Sequence, residues 1–285
     1  MPALTMNTRT IAATMRDQIK KEIRDFRQNS GPIPSLVLLS VGEDPSIYDY
    51  IKVVIRQATQ VGIRAYAQIL PYDVTLDEIR QYIQELNQNP HIQAISLQSP
   101  LPKHLPMAEV AAFIQPEKDV EGLHPHNVGS AFNGKTLLVS PPATSTLKLL
   151  SLYSIIPAGR HVVIVGRNLI IGKPLMTLLT AANATVTLCH SQTQNLINFT
   201  RQAEILIVAV QHPNFVSAEM VRPGAIVIDY GINYVNGQVV GDVNYEEVRR
   251  VAGAITPMPG GTGPLTVIAL LQNVLQAAQL QHNIV

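Results

Sequence analysis

The chain has 285 residues, and its 21 Lys plus Arg against 20 Asp plus Glu give a formal net charge of +1. That balance excludes the basic surface of a nucleic-acid binder, and 46 % hydrophobic residues exclude a disordered chain. The lone cysteine, Cys189, excludes an intramolecular disulfide and a cysteine zinc cluster, and suits a reducing cytosol.

Ile11, Met15, Ile19, Ile23 and Phe26 recur at helical spacing and predict an amphipathic helix. Its charges, Arg16, Lys20, Lys21 and Arg24, deny it the shape of a signal peptide. Gly31-Pro32-Ile33-Pro34 stops it, and Leu36–Val41 reads as a buried strand. A helix over 46–61 ends at Gly62. A strand over 65–70, a helix over 75–86 with Thr75 as its N-cap, and a strand over 93–98 follow. Prolines and glycines between Pro100 and Pro142 predict a functional loop region and a domain crossing. A helix over 144–154 opens a second alternation, with strands at 161–165, 184–189, 205–210 and 225–229 and a last helix over 265–280. These short Val/Ile runs suit strands buried on both faces. The fold class is α/β, with parallel sheets covered by helices. The apolar runs are far below the ~20 residues of a membrane span.

The strand at 161–165 runs into Gly166-Arg167-Asn168-Leu169-Ile170-Ile171-Gly172-Lys173-Pro174. A glycine turn between strand and helix gathers backbone N–H groups and the helix dipole, which suits a dinucleotide phosphate. A glycine needed only for the turn would read the same way. The next strand ends in Cys189-His190-Ser191, without the acid that holds an NAD ribose. With Arg167 nearby, a 2′-phosphate is tolerated and gripped, which points to NADP over NAD.

Further motifs are Ala184-Thr185-Val186-Thr187-x-Cys189-His190-Ser191-x-Thr193, Asp229-x-Gly231-Ile232-Asn233 and Thr256-Pro257-x-Pro259-Gly260-Gly261-x-Gly263-Pro264. Lys118-Asp119-Val120 with Gly122 and His124-Pro125, and Gln98 with Pro100-Leu101-Pro102, complete the set. With these motifs the chain resembles the bifunctional methylenetetrahydrofolate dehydrogenase/methenyltetrahydrofolate cyclohydrolase family, from Val41 to Asn273.

The resemblance implies two α/β domains with a cleft between them. Residues 1–139 plus 265–285 would form a folate-binding catalytic domain, and 140–264 a Rossmann-type NADP-binding domain. It implies a cytoplasmic homodimer acting on a tetrahydrofolate derivative, without nucleic acid, membrane or metal. The charged content of 14 %, against about 25 % in typical chains, fits a face covered in a dimer. It further implies that Gly166, Arg167, Asn168, Ser191 and Ile232 bind the cofactor. Tyr50, Gln98, Glu121, Pro259, Gly260 and Gly261 would bind the folate.

The family's active-site helix carries Tyr-x-x-x-Lys-x-Lys. Aligned without gaps from Pro45 to Gly62, Tyr50 matches the tyrosine and Val54 takes the place of the catalytic lysine. Tyr48 and Lys52 share the spacing, but a two-residue shift turns a side chain by roughly 200° on a helix. Glu121 stands where the family has an aspartate that pairs with the pterin's N–H donors, and Gln211 where it has a glycine. Hydride transfer needs mainly geometry, whereas hydrolysis needs a positioned acid/base, whose loss costs about 10²–10⁴-fold. The expected activity is NADP-dependent oxidation of 5,10-methylenetetrahydrofolate with weak or lost cyclohydrolase. The alternatives are a paralogue that binds folate or nucleotide without that activity, and an oxidoreductase on another one-carbon carrier.

Overall fold

The structure is a computed structural model that describes residues 2–135 and 137–282. In chain order its elements are β1 (Leu4–Thr5), α1 (Arg9–Gln28), β2 (Ser35–Val41), α2 (Pro45–Val61), β3 (Arg64–Leu70), α3 (Leu76–Gln88) and β4 (Ala94–Leu97). Then come α4 (Met107–Ala111), α5 (Pro125–Phe132), α6 (Pro141–Leu152), β5 (His161–Val165), α7 (Gly172–Ala181), β6 (Thr185–Cys189), α8 (Leu196–Thr200) and β7 (Ile205–Val208). The last are β8 (Ile226–Asp229), β9 (Asn233–Val235), β10 (Gln238–Val240), α9 (Tyr245–Val248), β11 (Ala254–Ile255) and α10 (Thr262–Gln281). Two compact units divide the chain, one of Met1–Ala12 and Pro142–Thr266, the other of Ala13–Pro141 and Val267–Val285.

In the second of these units a parallel sheet has the order β3-β2-β4. Central β2 is buried along its whole length, so its sequence reads as one nearly continuous apolar run. Helix α2 buries Ile47, Ile51, Val54, Ala58 and Val61 along one face, at the spacing of an amphipathic helix. Thr75 caps α3 in a reciprocal box: the Glu78 amide donates to Thr75 Oγ1 (3.2 Å) and the Thr75 amide to Glu78 Oε2 (2.8 Å). Residues 118–120 run beside β4, with Ile95 N donating to Lys118 O (2.7 Å) and Val120 N to Ile95 O (3.4 Å).

The stretch from Pro100 to Pro142, expected as loop, holds α4 and α5. Pro106 precedes α4 and Pro125 opens α5. Proline is tolerated at a helix's first turn, where its missing N–H has no partner to lose. Here it starts helices instead of breaking them.

The other unit holds a six-stranded parallel sheet in the order β1-β11-β8-β7-β5-β6. The chain leaves β5 for β6 on one side and returns to β7 on the other. That makes the β5/β7 junction the topological switch point, where doubly wound sheets bind ligands. Residues 1–12, expected with the folate-binding part, group here because β1 pairs in parallel with β11, Leu4 opposite Ala254. β9 and β10 form an antiparallel hairpin. Among the described residues, no helix is long and apolar enough to cross a membrane.

Candidate active site

The first cluster lies where β4 ends and the 118–121 segment runs beside it. Gln98 follows β4, its amide held by Leu39 O of β2 (2.8 Å). Each residue of the Lys118–Glu121 run has its own task. Lys118 turns away from the cluster and donates from Nζ to the carbonyls of Leu86 (3.1 Å), Asn87 (2.7 Å) and Asn89 (2.9 Å). It thereby caps the C-terminus of α3. Asp119 Oδ2 accepts from His124 N (2.7 Å) and Asn127 Nδ2 (3.0 Å), fixing the turn into α5, while its buried Oδ1 has no hydrogen-bond partner among the described residues. Asn273 Nδ2 of α10 donates to Val120 O and Val139 O, both at 2.8 Å. Glu121 is left to face Ser96, whose Oγ donates to Glu121 Oε1 (2.5 Å) and accepts from Gln98 Nε2 (2.7 Å).

Burial pushes the Glu121 carboxyl up to about 7; the Ser96 bond opposes this and the Asp119 charge adds to it. Tyr50 lies half-buried on α2. Its phenol is pushed upward by burial and then by the Glu121 charge. Val54 sits one turn further along the helix, 0 % exposed. Lys52 is on the solvent face, its Nζ 3.3 Å from Asp49 Oδ1 in an exposed pair. Gln98 and Glu121 are thus bridged by Ser96, with Tyr50 electrostatically coupled to Glu121. Ser96 was missing from the sequence reading; its one signal was a polar residue inside a four-residue buried strand.

His124 and His126, a His-x-His pair, serve a helix end: His124 Nδ1 accepts from His126 N (3.0 Å) at the start of α5.

The second cluster lies at the β5/β7 switch point. Gly166 has φ +125°, and a Cβ there would stand 2.3 Å from Ala209 O, just past β7. Only glycine allows the strand ends to approach this closely. Val165 pairs with Cys189, and Gly166 N donates to Cys189 O (2.9 Å). Arg167 and Ser191, each two residues past that pair, are exposed at neighbouring strand ends. Asn168 Oδ1 accepts from Ile171 N (2.6 Å) and Gly172 N (3.4 Å), and Asn168 O from Lys173 N (3.2 Å). The N-terminus of α7 is therefore capped from within the chain. The amides expected to meet a phosphate are thus partly used by Asn168, while the Arg167 and Ser191 side chains stay exposed. Those two exposed side chains beside a closely packed glycine turn fit a dinucleotide phosphate.

Asp242 organises the loop after β7. Its Oδ2 accepts from Val210 N (2.7 Å) and Gln211 N (3.0 Å), and its Oδ1 from His212 N (2.8 Å). Gln211 is exposed and left-handed at φ +58°. Replacing Gln211 by Gly relieves that conformation but gives the unfolded chain more entropy to lose. Urea unfolding is expected to place Gln211→Gly within about 1 kcal/mol of the parent and Gln211→Val about 1–2 kcal/mol below it.

Ile232 is half exposed just past β8. The Pro259-Gly260-Gly261 loop is held by Thr8, whose amide donates to Gly260 O (3.0 Å) and whose Oγ1 donates to Gly261 O (2.5 Å). Thr262 Oγ1 donates to Asp229 O (3.1 Å). Asp229 Oδ1 accepts from Gly231 N (2.8 Å), ordering the turn before Ile232.

A doubly wound parallel sheet, a glycine turn at its switch point and an exposed arginine beside it define an NAD(P)-binding α/β protein. Comparison with known proteins narrows this. Residues 140–282 match the tetrahydrofolate dehydrogenase/cyclohydrolase NAD(P)-binding domain, and 6–121 match the catalytic domain of the same family. The bifunctional protein FolD of Herpetosiphon aurantiacus is 43 % identical over 280 residues, 98 % of each chain. The Campylobacter jejuni FolD structure superposes with a TM-score of 0.92 at 34 % identity, covering 98 % of this chain and 99 % of that one. The Trypanosoma brucei dehydrogenase-cyclohydrolase, solved with NADP and an inhibitor, gives 0.93 at 31 % identity over 99 % of both. The chain belongs to the tetrahydrofolate dehydrogenase/cyclohydrolase family.

Proposed function

We propose that this chain oxidises 5,10-methylenetetrahydrofolate to 5,10-methenyltetrahydrofolate with NADP, and that it hydrolyses the product weakly or not at all. The observation that carries this reading is the side-chain set around Glu121. It offers a carboxylate and an amide to hold a pterin, while Val54, buried one turn from Tyr50, can neither donate nor accept a proton. Tyr50, Gln98 and Glu121 orient the folate, and Glu121 accepts from its ring N–H groups. Pro259, Gly260, Gly261 and Ile232 complete the folate and nicotinamide contacts. NADP, when bound, accepts the hydride. Arg167 and Ser191 hold its 2′-phosphate, with Gly166 and Asn168 shaping the turn beneath.

A homodimer formed through the NAD(P)-binding unit and a cytoplasmic location belong to the same proposal. The exposed Tyr234 and Val235 and the lone buried Cys189 support them.

Arg167→Ala tests the cofactor assignment. A hydrogen-bonded charge pair contributes about 1.5–3 kcal/mol. NADP affinity is therefore expected to fall roughly 10–100-fold, with NAD affinity unchanged, as read by fluorescence titration. Equal loss for both dinucleotides would contradict the 2′-phosphate role.

A further inference from the structure

We propose that Ser96 is a positioning residue of the folate site, its hydroxyl holding Glu121 as a charged acceptor and orienting the Gln98 amide through the same oxygen. This rests on the reading above in which Glu121 accepts the pterin's N–H donors.

The polarity of the hydrogen-bond chain carries the inference. A serine hydroxyl has one proton and two lone pairs. Gln98 Nε2 donates into one lone pair at 2.7 Å, and the proton is directed at Glu121 Oε1 at 2.5 Å. That is the length of a hydroxyl–carboxylate bond. The arrangement suits an ionised Glu121. A neutral acid still offers Ser96 a carbonyl oxygen, but the charge-assisted bond to a carboxylate is the stronger one, so the Ser96 bond favours the ionised form.

The other influences on Glu121 run the opposite way. The titratable groups that face it are Tyr50 from α2 and Asp119 from its own segment. Among the described residues no Lys, Arg or His forms an ion pair with it. Burial and the Asp119 charge favour the neutral acid, whereas the Ser96 bond favours the carboxylate. A carboxylate offers acceptors on both oxygens to a pair of N–H donors, whereas a neutral acid turns one of them into a donor. Ser96 therefore sets the pH range over which the site can recognise a pterin.

The test is the pH dependence of tetrahydrofolate binding by calorimetry between pH 5.5 and 9, with NADP affinity and thermal melts reporting on the fold. In the parent protein, binding is expected to weaken as pH falls through about 7. Ser96→Ala should move that midpoint up by about one pH unit, a loss of up to about tenfold in affinity near neutrality. Ser96→Thr, which keeps the hydroxyl, should restore the parent midpoint. Ser96→Cys, a weaker donor of similar size, should shift it in the same direction as Ser96→Ala and serves if the alanine variant does not fold. Glu121→Gln should lose the pH dependence and bind at least tenfold more weakly at pH 8. An unmoved midpoint in folded Ser96→Ala or Ser96→Cys, with Glu121→Gln behaving as expected, overturns the role of Ser96 alone. Parent-like binding by Glu121→Gln overturns the underlying reading as well.

Discussion

Val54→Lys is expected to raise hydrolysis of 5,10-methenyltetrahydrofolate by about 10²–10⁴-fold, the usual contribution of a positioned acid/base. Position 54 lies one helical turn from Tyr50 on the buried side of α2, and Tyr50 is coupled to Glu121. A lysine there would be desolvated, which lowers its pKa and gives it a neutral fraction able to move protons. Val54 is 0 % exposed, so the longer side chain must displace packed neighbours at about 1–3 kcal/mol. A lower melting temperature should therefore accompany the gain. Hydride transfer, which needs no base, should stay within a few-fold of the parent. Lys52, exposed and paired with Asp49, is not expected to contribute, and Lys52→Ala should leave both activities unchanged. Separate assays of oxidation and hydrolysis on the folded variants check this.

Glu121→Gln is expected to make the protein more stable at pH 8 while weakening folate binding. The Glu121 carboxyl titrates at about 7 in the fold against 4.5 for an ordinary glutamate. A carboxyl raised in this way supports the fold fully below about 4.5, and that support is lost as pH rises through about 7. At pH 8 the buried charge costs up to about 3 kcal/mol, at 1.36 kcal/mol per pKa unit. Glutamine carries no charge and still offers Ser96 an acceptor oxygen. The melting-temperature difference between variant and parent should be several degrees at pH 8 and shrink toward zero near pH 4.5. A constant difference across that range would contradict the burial of an ionised Glu121.

Much of this architecture was legible because β2, β4, β5, β7 and β8 are buried along nearly their whole length. In His161–Val165 the last four residues are all β-branched, which suits a strand, and its observed limits are those expected. Thr75 with Glu78 carried a complete capping signature, and the structure closes both bonds. Short elements left no periodicity to read. β1 and β11 are two residues each, and the 233–240 hairpin turns on Asn236-Gly237 without clear alternation around it. Pro125 reads equally well as a loop breaker or a helix opener, and only the His124 cap decides.

In the cluster around Glu121 the sequence pointed to Tyr50, Val54, Gln98 and Glu121, because each falls on a motif position. It did not point to Ser96, which joins two of them, nor to Asp242, which orders the loop at Gln211. Both act through partners distant in sequence: Ser96 meets Glu121 25 residues away, and Asp242 meets Gln211 31 residues away. No local pattern encodes such a contact. Lys118 shows the converse, since a motif position turned out to cap a helix.

The two family activities are expected to separate at Val54. The most direct measurement is a side-by-side assay of the purified full chain, following NADP-dependent oxidation of 5,10-methylenetetrahydrofolate and hydrolysis of 5,10-methenyltetrahydrofolate in one buffer. Oxidation is expected to be measurable, with hydrolysis near the uncatalysed rate. Hydrolysis as fast as oxidation would contradict this.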